Sequence, residues 1–183
     1  MDHGASSYRR FLDGDETGLV EIIRDYKDGL IFYLNSFVGN FHTAEELAED
    51  TFVKLGTKKP KDKGKGSFKT WLYTIGRHVA IDHLRREKRS AVSIEECPEL
   101  PDVCDLETAY LREENKITLH RALGRLKPTY RQVLWLLYFE ELSHREIATI
   151  MNKRVHAVET LAYRARAALK TELNKEGFVY EEL

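Results

Sequence analysis

Histidines and carboxylates cluster at two places closely enough to raise the question of catalysis: His78, Asp82 and His83, and the pair Glu141 and His144. The pair has the E-x-x-H spacing of half a di-iron carboxylate site, but such a site needs two pairs, and this one straddles an expected turn between helices. Neither a phosphate-binding glycine loop nor a nucleophile elbow accompanies these residues. Cys97 and Cys104 stand in a C-x6-C spacing. That is not a usual ligand pair, and two cysteines are too few for a closed tetrahedral zinc site without histidines. Free thiols are the expected state, with a redox-sensing pair as the alternative. The sequence thus predicts no enzyme activity, no metal and no cofactor.

The chemistry that the residue types do suit is recognition. Ser143 and Glu146 form the S-x-x-E pattern in which the hydroxyl caps the third helical N–H and the carboxylate returns to the capping residue's own N–H, so a helix is expected from His144. Ile147, Ala148, Ile150 and Met151 give it an apolar face. Asn152, Lys153 and Arg154 break the pattern before Val155, Val158, Leu161, Ala162 and Ala165 resume helical spacing. With Thr129 to Leu142 in front, this predicts a helix-turn-helix. The outer side of its second helix carries His156, Glu159, Thr160, Tyr163, Arg164 and Arg166, donors, acceptors and positive charge able to read base edges and hold phosphates in a major groove. An ordinary helical hairpin with a solvated charged face fits the same pattern taken alone.

A second stretch has a different chemistry. SFKTWLYTIGRHVAIDHLRREKR reads as one long helix capped by Ser67, with Phe68, Leu72, Ile75 and Val79 facing inward. The other face is read as Lys69, Trp71, Tyr73, Thr74, Arg77, His78, Arg85, Arg86, Lys88 and Arg89. Aromatics among cations suit unpaired bases, which stack on a ring while their phosphates are neutralised nearby. A core role for the Trp71 indole is the competing reading.

These stretches have to be positioned by a helical framework. In the 183 residues, 32% are charged and the net charge is −1, which argues against a protein that coats nucleic acid indiscriminately. The charge is unevenly placed. Six lysines (58, 59, 61, 63, 65 and 69) fall between Lys58 and Thr70, and five basic residues between Arg77 and Arg89, whereas eight acidic residues fall between Glu95 and Lys116. Two basic regions separated by an acidic span fit two nucleic-acid contacts made by separate domains. No apolar run nears the roughly 20 residues that span a bilayer, and Met1 to Arg10 lacks a signal-peptide core, so a cytoplasmic protein without membrane insertion of its own is expected.

Along the chain, Tyr8 to Asp13 is not assigned to an element. From near Asp15, Leu19, Ile22, Ile23, Tyr26, Leu30, Tyr33, Leu34 and Phe37 follow helical spacing until Gly39-Asn40 stops it. Thr43 and Glu46 read as a second capping box, launching a helix with Leu47, Phe52 and Leu55 inside and Glu45, Glu46, Glu49 and Asp50 on an acidic surface. Gly56 to Gly66, with Pro60 and a run of lysines, excludes a regular element and predicts a mobile basic loop.

Four stretches, GDETGLVEIIRDYKDGLIFYLNSFVGN, AEELAEDTFVKL, FKTWLYTIGRHVAIDHLRREKR and ALGRLKPTYRQVLWLLYFEELSHREIATIMN followed by YRARAALK, together resemble RNA polymerase sigma factors of the extracytoplasmic-function type, the compact branch of the bacterial sigma-70 family. They lie in family order and cover most of residues 14 to 172. The resemblance implies an all-α protein of two small helical domains: an N-terminal domain over 1–91, an acidic linker over 92–114 and a C-terminal helix-turn-helix domain over 115–183. It implies promoter-directed transcription initiation, signal-responsive, with core RNA polymerase, promoter DNA and an anti-sigma factor as partners. Core binding would fall to Glu46, Leu47, Asp50 and Phe52. The minus-10 element would meet Lys65, Ser67, Phe68, Lys69, Trp71, Thr74, Arg77, His78, Arg85 and Arg86, with Asp82 ordering neighbouring arginines. The minus-35 duplex would meet Lys153, Arg154, His156, Glu159, Thr160, Tyr163, Arg164 and Arg166.

Two positions depart from the family pattern. His78 stands where asparagine is frequent, and His156-Ala157-Val158-Glu159-Thr160-Leu161 replaces a Gly-Thr-Val-Lys-Ser-Arg run. Base preference in the minus-10 element is therefore expected to differ at the first; at the second charge is lost, and the docking face carries over but the contact list does not. Glu159 has two readings, acceptor for a cytosine amino group or plain helix-surface residue. The linker, with Pro98, Pro101 and its carboxylates, is expected to be extended and to imitate nucleic-acid charge. The rival function is a self-sufficient helix-turn-helix regulator, which would bind its duplex operator without polymerase.

Overall fold

The computed structural model describes residues 3–61, 66–90 and 114–175, and among these every regular element is helical. Four helices form the N-terminal unit: α1 (His3–Leu12), α2 (Thr17–Val38), α3 (Phe41–Lys58) and α4 (Phe68–Ser90). The C-terminal unit holds α5 (Glu114–Gly124), α6 (Pro128–Leu134) running into a π-helical turn (Trp135–Phe139), α7 (His144–Met151) and α8 (Val155–Lys175). The expected acidic linker and Lys65 lie outside the described residues.

Local chemistry accounts for where the helices start and stop. The Asp15 carboxylate accepts from the Thr17 backbone N–H at 3.0 Å and from its hydroxyl at 2.5 Å, which fixes the entry to α2. Gly39 ends α2 at φ +68°, a left-handed conformation in which a Cβ would be strained, and its N–H returns to the Asn35 carbonyl at 2.8 Å. Immediately afterwards the Asn40 side chain accepts from the Thr43 N–H at 3.0 Å. This corrects the expected start of α3: Asn40 is the cap, and the helix begins at Phe41 rather than at a Thr43–Glu46 box.

The unassigned segment at the N-terminus is also a helix. Its apolar residues Tyr8 and Phe11 are buried, and α1 crosses α2 at Gly18, where a Cβ would lie 2.2 Å from the Ser7 carbonyl oxygen. Ile22, Leu30, Leu34, Leu47, Leu55, Phe68 and Leu72 complete that core. Each such side chain contributes about 1.5–3 kcal/mol when fully buried.

In the C-terminal unit Pro128 occupies the first turn of α6, where its missing N–H costs no bond. Ser143 makes the expected capping box: the Glu146 N–H donates to Ser143 Oγ at 3.4 Å and the Ser143 N–H donates to Glu146 Oε2 at 3.0 Å. Asn152, at φ +51°, turns the chain from α7 into α8. Ile147, Ile150 and Met151 of α7 then pack against Val158, Ala162 and Ala165 of α8. This is the helix-turn-helix.

Candidate nucleic-acid and polymerase interfaces

Because Val158, Ala162 and Ala165 are buried, α8 turns its opposite side outward. Lys153, Arg154, His156, Glu159, Tyr163, Arg164 and Arg166 are exposed there, Tyr163 by 73%. Thr160 is half-buried and donates its hydroxyl to the His156 carbonyl at 3.0 Å. His156 Nδ1 lies 3.5 Å from Glu159 Oε2, one helical turn on. The helix offers a continuous polar and basic surface one side wide, the shape a major groove accepts.

The start of α4 is built differently. Ser67 caps it as expected, its Oγ accepting from the Thr70 N–H at 3.3 Å. Phe68 is fully buried in an aromatic cluster, with ring centroids 5.7 Å from Tyr8, 5.6 Å from Tyr26 and 5.6 Å from Trp71. Trp71 is half-buried and also meets Tyr8 at 5.2 Å. Tyr8 donates its hydroxyl to the Pro60 carbonyl at 2.7 Å, tying α1 to the start of the lysine-rich segment. Tyr73 corrects the sequence reading: it faces inward and is fully buried, and burial first, then the nearby Glu140 charge, hold its phenol well above the usual range. Farther along, Thr74 is half-buried and donates to the Thr70 carbonyl at 2.7 Å. Arg77 is half-buried, its Nε without an acceptor among the described residues. His78, Arg85 and Arg86 are exposed, and Asp82, also exposed, sits 3.6 Å from Arg85 Nη1.

Three donors on that edge, the Ser67 and Thr70 hydroxyls and the Lys69 ammonium, already have partners in the C-terminal unit. Ser67 Oγ donates to Glu146 Oε1 at 3.0 Å and Thr70 Oγ1 to the same oxygen at 3.2 Å. Lys69 Nζ lies 2.7 Å from Glu140 Oε2 and 3.1 Å from the Glu140 carbonyl. The Trp135 indole N–H donates to Glu140 Oε1 at 3.2 Å. Glu140 is only 8% exposed. Beside it Gly29 of α2 leaves room: a Cβ there would lie 2.3 Å from Glu140 Oε1 and 2.6 Å from the Tyr73 hydroxyl. Burial alone would raise the Glu146 carboxyl, but hydrogen bonds from Ser143, Ser67 and Thr70 outweigh it and hold the group below 4.5.

An apolar seam continues the contact. Phe32 of α2 stacks on Trp135 at 4.9 Å, and Trp135 on Phe139 at 4.2 Å with the rings 6° apart. Arg131 donates to the Ser36 carbonyl at 3.2 Å and to the Gly124 carbonyl at 3.0 Å. Sequence reasoning missed Glu140, Gly29 and Tyr8. Glu140 follows the aromatic run Trp135–Phe139 with no periodicity to announce a partner in α4, and Glu146 was legible only as a cap.

On α3, Glu46 and Asp50 are exposed, whereas Leu47 and Phe52 are 3% and 6% exposed and so hold the helix in place rather than present themselves. Val53, 60% exposed, adds an apolar point beside the acidic ones. Asp50, Val53 and Lys54 line one wall of a groove whose other wall is Val79, Asp82 and His83 of α4.

A helix-turn-helix with an exposed reading face, joined to a helical unit with a basic, aromatic edge, defines a transcription factor. The model of sigma-70 region 2 matches residues 22–90, and the model of sigma-70 region 4 matches residues 116–169. The chain is 35% identical over 158 residues to the RNA polymerase sigma factor YlaC of Bacillus subtilis, covering 85% of this chain and 91% of that one. It is 31% identical over 170 residues to the RNA polymerase sigma-H factor of Pseudomonas aeruginosa, covering 87% and 88%. The fold is shared with the sigma factor RpoE of Bartonella quintana, solved in complex with the anti-sigma factor NepR, at 22% identity and a TM-score of 0.63 over 84% of this chain and 95% of that one. The chain belongs to the sigma-70 family of RNA polymerase sigma factors, in its extracytoplasmic-function branch. It is a transcription initiation factor, not an enzyme. Among the described residues no helix is long and apolar enough to cross a membrane.

Proposed function

We propose that residues 1–91 dock on core RNA polymerase and capture the melted minus-10 strand, that residues 115–183 hold the minus-35 duplex, and that 92–114 link the two. The observation that carries this reading is the one-sided construction of α8, buried along Val158, Ala162 and Ala165 and exposed along His156, Glu159, Tyr163, Arg164 and Arg166. Lys153 and Arg154, at the turn before it, supply phosphate contacts. Glu46 and Asp50, with Val53, meet a basic surface of core polymerase, where charge complementarity steers docking more than it sets affinity. Ser67, Lys69, Thr74, Arg77, His78, Arg85 and Arg86, with Lys65, hold the single strand, while Phe68 and Trp71 shape the edge from beneath. Leu47 and Phe52 act on core binding through the packing of α3.

The protein works in the cytoplasm, where polymerase is, and responds to a signal through an anti-sigma factor. The Bartonella quintana relative, solved with such a partner, supports that last step. The test is capture of bacterial core polymerase by the purified chain, followed by run-off transcription from a genomic fragment library. Transcripts that require both components are expected, and their upstream sequences give the promoter motif. Failure to bind core together with tight duplex binding by the chain alone would identify an independent regulator instead.

A further inference from the structure

We propose that α1 belongs to the single-strand reader and that Tyr8 is its positioning residue, fixing Lys59 to Lys61 against the first turn of α4. The inference rests on the assignment of that turn to the minus-10 strand. The sigma-70 region 2 match begins at residue 22, so it gives α1 no role. Tyr8 touches both flanks of the reader at once. Its ring meets Phe68 at 5.7 Å and Trp71 at 5.2 Å, the aromatics beneath Ser67 and Lys69. Its hydroxyl donates to the Pro60 carbonyl at 2.7 Å, 52 residues along the chain. One turn farther along α1, the Phe11 ring carries the Lys59 ammonium 4.8 Å from its centroid.

These ties act where the helix can no longer hold the chain. α3 ends at Lys59, left-handed at φ +41°, and Pro60 has no N–H to continue a backbone ladder. Lys59 and Lys61 are exposed and able to meet phosphates, so their placement depends on contacts made behind them. α1 is a firm base for such contacts. A Cβ at Gly18 would lie 2.2 Å from the Ser7 carbonyl oxygen, and one at Gly4 2.4 Å from Phe68 Cδ1, so α1 sits flush on α2 and α4. Ser7 donates its hydroxyl to Glu21 at 2.7 Å, and Arg10 pairs with Glu21 and, at 3.3 Å, with Asp15. An anchor meant only to fill the core needs the Tyr8 ring alone. The hydroxyl adds direction, because a hydrogen bond weakens steeply with angle while apolar contact is non-directional. Capture of an unpaired base uses that direction: stacking surface and neutralising charge must reach one nucleotide together, and a loose reader loses affinity to its own ordering.

Two full-length variants test this in holoenzyme with saturating core polymerase, on a promoter taken from the run-off library. Tyr8→Phe keeps the ring and removes the hydroxyl; Phe11→Leu keeps an apolar side chain and removes the ring under Lys59. Each is read on a duplex template and on one whose minus-10 element is mismatched, so that its strands are already apart. The rate of heparin-resistant open-complex formation on the duplex should fall roughly fivefold for Tyr8→Phe, the worth of one hydrogen bond, and about threefold for Phe11→Leu. The mismatched template should restore both to the wild-type rate, because strand capture there no longer has to drive strand separation. Phe11→Leu carries the test by itself if Tyr8→Phe does not fold. An unchanged duplex rate in Tyr8→Phe, or in Phe11→Leu where that variant stands in, overturns the positioning role. Equal slowing on both templates also overturns it, being the signature of a chain that merely folds less well. Absence of promoter-dependent transcripts from the wild type is a different failure: it overturns the assignment of the α4 edge, and the role of Tyr8 with it.

Discussion

The outer face of α8 and the first turn of α4 carry similar donors, yet one stands in solvent and the other lies under α7. On α8 the side chains assigned to DNA play little part in folding: Tyr163 is 73% exposed and the helix is held from behind by Val158 and Ala162. On α4 the residues proposed for recognition adjoin the architecture, since Phe68 anchors an aromatic cluster one position from Ser67 and Lys69. A reader of the first kind tolerates substitution and pays in binding alone. A reader of the second kind cannot be altered without consequences for the fold.

The sharpest way to break that contrast is to truncate one aromatic on each side. Phe68→Ala should destabilise the chain by about 3–5 kcal/mol in urea unfolding, because it leaves a cavity among Tyr8, Tyr26 and Trp71. Tyr163→Ala should stay within about 0.5 kcal/mol of the wild type. Equal losses would remove the distinction. Ser143→Ala comes next, with an expected loss of about 1 kcal/mol from the cap of α7, read as a lower melting temperature.

The pH dependence sharpens the comparison from the covered side. The native Glu146 carboxyl is held below its ordinary 4.5, so its stabilisation is complete above that value and disappears as pH falls through the depressed native one. Melting temperature followed from neutral to acid pH should therefore fall less steeply below about pH 4.5 in Glu146→Gln than in the wild type. An identical slope would show that the carboxylate is not linked to folding. Arg164→Ala, on the exposed side, should have the smallest effect on stability, near zero, while lowering the salt dependence of promoter binding by roughly one counterion.

What could be read in advance follows from the range of the forces involved. The Ser143–Glu146 cap, the Ser67 cap and the inward sides of α7 and α8 depend on neighbours within four residues, and the sequence displays them directly. Asn40 lost to Thr43 in the reading because both can cap, and the choice depends on how Gly39 turns the chain. Tyr73 is read outward because it stands one helical turn from both Lys69 and Arg77 among interleaved aromatics and cations, whereas packing against Tyr33 at 5.3 Å pulls it in. Glu140 meeting Lys69, and Gly29 making room for it, depend on the docking of two units. No local pattern encodes that.

Gly29 has a consequence for how this sequence can drift. It sits inside α2, where alanine is the better helix former by about 1 kcal/mol, yet a Cβ there would lie 2.3 Å from a carboxylate carried by the bend that follows the distant π-helical turn. Positions 29 and 140 are therefore expected to vary as a pair, with a side chain at one accompanied by a shorter residue at the other, although more than a hundred residues of chain separate them.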